Sequence, residues 1–434
     1  MSTPRILPEI IEVIVDQIGD FEQDTVKACS LISTAFVGPS QRRLFHYLHL
    51  RDTEAMPKFE CDGNVISPDR ARDFFASSPH LASYVRELAI SIPSRRIQNR
   101  FRGLSIGRFS EHEPKEDLYI AFQTVLPAFT RVKQLTLSGP HDCSWTSLPE
   151  PFTSAVYAVL GLPTLGRLRV FGLTIPASLI TVISASVREL SLSSTTTVEL
   201  GDPTRALTPG PGPRILSPFG LSSSMIALSA CGALPHVREL SIGRSESWTD
   251  ICKLLQAHTW TLTHFHCDLT AIASRDRLST FFSLPHMHAL RVLELRTTAD
   301  LEESEYGQPR LTTARASLDS RFASLISELP SKTPVLERAI FRVDLLALET
   351  EVVWVPGAIP QIPEVEEEEE RRSRLKDVHW YLHSLESDEH RGRRKFDAFV
   401  PFIQEQMSIR SDLGMITFWH LLGGKLVEKR IVES

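Results

Sequence analysis

No stretch of this 434-residue chain approaches the roughly eighteen consecutive apolar residues of a membrane-spanning helix, so no span is expected. The first nine residues, Met1 to Glu9, lack a basic segment followed by an apolar one, so no secretory leader is expected either. Cysteine is sparse and unpatterned. The six residues, at 29, 61, 143, 231, 252 and 267, form no Cys-x-x-Cys pair, and several sit in apolar runs where the thiol acts as a small hydrophobe. A disulfide framework is excluded, and a reducing cytoplasm or nucleus fits best. Neither sign of charge dominates: 47 Lys and Arg stand against 53 Asp and Glu, a net charge of −6. That balance argues against a general nucleic-acid binder, which carries a basic stripe. No His-Glu-x-x-His or dinucleotide-binding fingerprint occurs, and Gly423-Gly424-Lys425 lacks the first glycine and the terminal hydroxyl residue of a P-loop. No cofactor or metal is expected.

What is present begins at the N-terminus. Pro8 suits a first helical position, because its missing N–H has no partner there. Ile10, Ile14 and Ile18 then repeat every four residues along one face. Gly19 punctuates, Asp24 reads as the N-cap of a second helix carrying Val26, Cys29 and Leu31, and Pro39 reads as a break before a third segment holding Leu44, Phe45 and Leu48. Three helices of about ten residues bury too little to stand alone, so the trio is expected to dock on something larger.

Leu7-Pro8-Glu9-Ile10-Ile11, the stretch Lys27 to Ser33, and Arg43-Leu44-Phe45 together resemble an F-box, especially the F-box-like domains of fungal proteins. Phe36 stands where that family commonly places Trp, which keeps an aromatic ring and loses the indole N–H. The resemblance covers about a tenth of the chain. It implies docking onto a Skp-type adaptor of a cullin–RING ubiquitin ligase through Leu7, Pro8, Ile10, Ile14, Leu31, Phe36 and Leu44, with the rest of the chain recruiting a target protein.

After residue 80 a six-residue pattern returns: apolar, two residues, apolar, one residue, apolar. It starts at Val85, Val132, Leu165, Val187, Val237, Leu262, Leu290 and Leu336, and three copies share the core Val-Arg-Glu-Leu. The last four residues of each unit alternate, as in a strand with one buried face. Helix-like segments such as 155–160 and 250–257 lie between them. Starts fall 22 to 50 residues apart, near the length of leucine-rich repeats or twice it. The pattern resembles irregular leucine-rich repeats, although asparagine occurs only at Asn64 and Asn99, so no ladder of turn asparagines exists.

The fold expected is therefore α/β: a small three-helix F-box-like module over 1–50, an irregular leucine-rich-repeat-like solenoid over 51–355 with a Pro/Gly-rich loop at 203–218, an acidic linker over 356–374, and a strand plus helical C-terminal cap over 375–434. On the strand-lined face Arg86, Lys133, Arg188, Arg238 and Arg291 are the candidate target-binding residues. The expected function is a non-catalytic substrate-receptor adaptor, without nucleic-acid or membrane partners, in cytoplasm or nucleus. Two other classes stay open. One is a repeat scaffold unrelated to ubiquitin ligation. The other is a hydrolase using Ser105 of Gly103-Leu104-Ser105-Ile106-Gly107, although the Arg-rich approach to that motif does not suit the central strand a nucleophile elbow needs. His264 and His266 on one strand face, and His286 and His288 in a turn, are spaced as metal ligands, but no further donors stand at metal-ligand spacing nearby, so metal binding is not expected at either pair.

Overall fold

All eight six-residue units enter a β-strand at their third residue in the computed structural model of the chain. The described residues are 7–19, 22–52, 65–92, 116–183, 187–193, 195–199, 212–218, 223–230, 232–243, 247–269, 283–299, 302–303, 309–310, 323–345, 377–384, 393, 396–397, 400, 415–422 and 425–433. They fall into two compact units, Met1–Pro213 and Arg214–Ser434.

The first unit opens with three helices, Pro8–Asp16, Gln23–Ile32 and Thr34–Leu44. They run directly into β1 (Tyr47–Leu50), and β2 (Val65–Ile66), β3 (Glu87–Ser91), β4 (Gln134–Ser144), β5 (Arg167–Pro176), β6 (Glu189–Leu192) and β7 (Thr197–Glu199) follow. These strands lie parallel in the order β2-β1-β3-β4-β5-β6, with β7 also on β5. One register aligns Leu88, Leu135, Leu168 and Leu190, and the next aligns Ile90, Leu137, Val170 and Leu192. All eight are buried. Alternation thus turns every repeated leucine to one face. Helices Pro68–Ser77, Glu116–Val125 and Glu150–Leu160 bury Phe75, Phe122 and Phe152. Phe75 meets Phe129 edge-on at 5.1 Å between centroids, and Phe122 meets Phe152 at 5.2 Å. Ser67 caps the first of these helices by accepting from the Arg70 N–H, with Pro68 at its first position.

The second unit holds β8 (Ile215–Leu216), β9 (Glu239–Ile242), β10 (His264–Asp268), β11 (Val292–Ala299), β12 (Glu302–Glu303), β13 (Pro309–Arg310), β14 (Arg338–Leu345), β15 (Asp377–Ser384), β16 (Met415–Leu422) and β17 (Lys425–Glu433). Its sheet runs β8-β9-β10-β11-β14-β15-β16-β17, parallel until the antiparallel β16–β17 pair, and β12 and β13 form a separate small hairpin. Ile242, Cys267, Leu295, Phe341, Trp380 and Phe418 align across six strands, all buried.

The expected fold is corrected on this basis. The chain is a mixed α/β protein dominated by mostly parallel sheet, not a leucine-rich-repeat-like solenoid set between a separate three-helix module and a helical cap. The N-terminal helices are continuous with β1. Residues 283–291, which lead into β11, are not helical. Two long strands stand within the region expected as helical cap. The segment Met415 to Leu422 is rich in aromatic and β-branched residues, and Gly423-Gly424 before Lys425 is the pair that two-residue hairpin turns favour. In a helix those glycines would cost about 1 kcal/mol each. Within 203–218, expected as loop, Ile215 and Leu216 form β8. Pro39 lies inside the third helix rather than before it, and the break falls at the extended Ser33. Asp24 sits in the first turn of the second helix, behind Glu22 at the N-cap position.

Candidate functional site

The first helix is apolar on two faces. Ile11 and Val15, four residues apart, are buried, while Leu7, Ile10, Val13 and Ile14 are exposed. The second helix buries Val26 and exposes Leu31 and Ile32. Exposure across these six large side chains runs from 44% at Ile14 to 86% at Leu31. An amphipathic surface helix needs one apolar stripe for its core. The second stripe is surplus to the fold, and surplus exposed apolar surface marks a contact site.

Two charged contacts hold this face in place. Arg42 of the third helix pairs with Glu12 of the first, and Arg43 Nη2 donates to the Ile18 carbonyl at 3.1 Å. The end of the third helix is fixed in turn by Phe45, stacked on Phe74 at 5.5 Å and edge-on to Phe75 at 6.4 Å. Of the expected adaptor-contacting residues, Leu7, Pro8, Ile10, Ile14 and Leu31 are exposed, and Phe36 and Leu44 are half-buried in the third helix. Val13 and Ile32 belong to the exposed apolar set and escaped a reading based on one stripe per helix. Their signal was the excess itself: five isoleucines and valines between residues 10 and 15 are more than a single stripe holds.

The five candidate target-binding residues lie one position before their strands rather than on the strand face. There they share a backbone pattern. The Arg86 carbonyl accepts from the N–H groups of Lys133 and Gln134 at 2.7 and 3.0 Å, and that of Lys133 accepts from Gly166 and Arg167. Arg188 donates to Gly166, Arg238 to Arg214, and Arg291 to Thr263, each at 2.8 to 2.9 Å. Parallel register brings Arg86 beside Lys133. Gly166 separates Lys133 from Arg188, and Thr263 separates Arg238 from Arg291. Lys133, Arg188, Arg238 and Arg291 are exposed, and Arg86 is half-buried, donating to the Arg131 carbonyl at 3.1 Å.

Side-chain chemistry elsewhere gives no catalytic constellation among the described residues. His49 Nε2 lies 2.7 Å from Ser91 Oγ, which lies 2.9 Å from Ser138 Oγ. Burial, and secondarily the Arg51 charge, lowers the His49 pKa. This is a Ser–His pair without an orienting carboxylate among the described residues, so it lacks the third member of a triad. His266 Nδ1 faces Glu294 at 3.5 Å, while Cys267 is buried on the opposite face with its thiol pKa pushed well up, first by burial. Burial also pushes Cys252 up to about 11. Neither thiol is a ready nucleophile. Among the described residues no three His, Cys, Asp or Glu side chains converge as a metal site. His288 instead stacks on Trp260, which is 73% exposed, with centroids 3.9 Å apart. Ser105, the Arg-rich approach to it and the acidic linker expected over 356–374 lie outside the described residues. No described helix is long and apolar enough to cross a membrane. No protein-family model matches the chain, and no curated protein matches it.

Proposed function

We propose that the chain is a non-catalytic target-recruiting subunit of a cullin–RING ubiquitin ligase, docking a Skp-type adaptor through its first two helices and working in cytoplasm or nucleus. The single observation that carries this reading is the surplus apolar stripe, Leu7, Ile10, Val13 and Ile14, which flanks the buried Ile11 and Val15. It coincides with the residues that resemble an F-box. The mechanism is proximity: one surface holds the adaptor, and the sheet-bearing remainder holds a target within reach of the ubiquitin-loading enzyme. The chain itself supplies no bond-making group in this scheme.

Co-purification of a Skp-type adaptor with the full-length chain tests the reading. Wild type retains the adaptor, and an Ile10→Asp/Ile14→Asp variant loses it with an unchanged circular dichroism spectrum, since both side chains are exposed. Failure of the wild type to bind, or full retention by the variant, overturns it in favour of an interaction scaffold with no ligase link.

A further inference from the structure

On the face of the second unit's sheet away from its buried core residues lies an aromatic and cationic row, with Lys429 exposed and Arg342, Tyr381 and Trp419 half-buried. Register places Arg342 of β14 beside Tyr381 of β15, Tyr381 beside Trp419 of β16, and Trp419 beside Lys429 of β17. The Arg342 guanidinium sits 4.8 Å from the Tyr381 ring centre. The Tyr381 and Trp419 rings stack at 5.6 Å and 4°. Lys429 Nζ lies 4.6 Å from the Trp419 ring centre. Trp419 Nε1 also donates to His379 Nδ1 at 3.3 Å, and Glu294 accepts from Arg342. The core residues of these strands, Phe341, Trp380 and Phe418, point the other way and are buried.

Stacking fills the ring faces within this row, which leaves ring edges and two cations for a ligand. Aromatic edges carry the positive end of the ring quadrupole, so they add to the positive charge of Lys429, while Glu294 offsets part of the charge of Arg342. The side chains are already ordered by their mutual contacts, which lowers the entropy lost on binding. Tyr, Trp and Arg are also the residue types that dominate interface energetics. Strands lie about 4.8 Å apart, so Arg342 and Lys429 stand roughly 14 Å apart. An extended peptide rises about 3.4 Å per residue with alternate side chains on one face. Carboxylates at its positions i and i+4 would therefore meet the two cations, and an apolar side chain at i+2 would meet the rings. Glu294 does not saturate Arg342, because a guanidinium has five donors in a fork that takes a second carboxylate.

We propose that this face binds an extended acidic peptide segment of a partner protein, with acidic residues four apart and an apolar residue midway. Only the naming of that segment as the recruited target rests on the ligase reading. Binding is measured on the full chain by fluorescence anisotropy with the labelled peptide Gly-Ser-Glu-Ser-Leu-Ser-Glu-Ser-Gly, against the same peptide with both Glu replaced by Gln. The acidic peptide binds, and the Gln peptide binds at least about tenfold more weakly. Lys429→Glu weakens the acidic peptide at least about tenfold, and Trp419→Leu at least about fivefold, with circular dichroism and adaptor co-purification unchanged. No binding of the acidic peptide, retention of its affinity by both variants, or equal binding of a single-stranded oligonucleotide overturns the proposal. Adaptor binding is read separately in the same preparations, so loss of either reading is seen without the other.

Discussion

Ile10 and Ile11 are adjacent in the chain and opposite in environment: Ile11 is 3% exposed in the core beneath the first helix, while Ile10 is 48% exposed. One helical step of about 100° separates core from candidate docking surface. Ile11→Ala should therefore destabilise the protein by about 2–4 kcal/mol, as large-to-small core substitutions do. Ile10→Ala should change stability by no more than about 0.5 kcal/mol. Urea unfolding of both variants checks the contrast, and equal losses would contradict the assignment of faces.

The same pair shows what the sequence made legible and what it did not. Periodicity located the first helix and its Pro8 start, yet could not say which of two apolar stripes faces inward, because burial depends on what packs against the helix. The eight repeated units gave the strand positions because alternation is local. Higher architecture was misread, since the strands' neighbours and the hairpin after Met415 are set by long-range pairing. Gly423-Gly424 was a usable local hairpin signal that a helical reading of the flanking apolar residues obscured. The Arg342–Tyr381–Trp419–Lys429 row was not legible at all, because only register across four strands brings those residues together. Alternation alone puts Arg86 and its counterparts on strand faces, whereas each precedes its strand by one residue.

Glu294 ties two neighbouring strands to its own. It is hydrogen-bonded first by His266 and then by Arg342, which outweighs partial burial and brings its pKa down to about 2. A carboxylate with a depressed folded pKa stabilises above its unfolded value near 4.5, and that contribution is lost as pH falls toward 2. Glu294→Gln should cost on the order of 1–3 kcal/mol at pH 7, with the difference from wild type shrinking below pH 4.5. Chemical unfolding at pH 7 and pH 3 measures it. A difference that does not narrow in acid would remove the linkage.

His258 behaves in the same direction for a different reason. It is buried, its Nε2 has no hydrogen-bond partner among the described residues, and burial lowers its pKa to about 4. The folded protein therefore holds it neutral, while the unfolded chain protonates it below about 6.5. Stability should be full above pH 6.5 and fall by about 1.4 kcal/mol per unit as pH drops from there toward 4. In His258→Phe that slope should disappear from the pH dependence of the unfolding free energy. An identical profile in wild type and variant would assign the acid sensitivity elsewhere.

Gly139 lies in β4 against the side chain of Leu173, which is fully buried in β5. A Cβ at position 139 would stand 2.2 Å from Leu173 Cδ2 and 3.1 Å from its Cγ. Glycine is needed here for space. The Leu173 side chain must move or the two strands must part, and neither is free in a close-packed interior. Gly139→Ala should therefore destabilise by about 1–3 kcal/mol, the usual range for overpacking. Leu173→Ala alone should cost about 2–5 kcal/mol through the cavity it leaves. Because the added methyl occupies part of that cavity, the double variant should be more stable than the sum of the two losses predicts. A double-mutant cycle from urea unfolding tests this. Strict additivity would mean that the Gly139 methyl and the Leu173 side chain do not compete for the same volume.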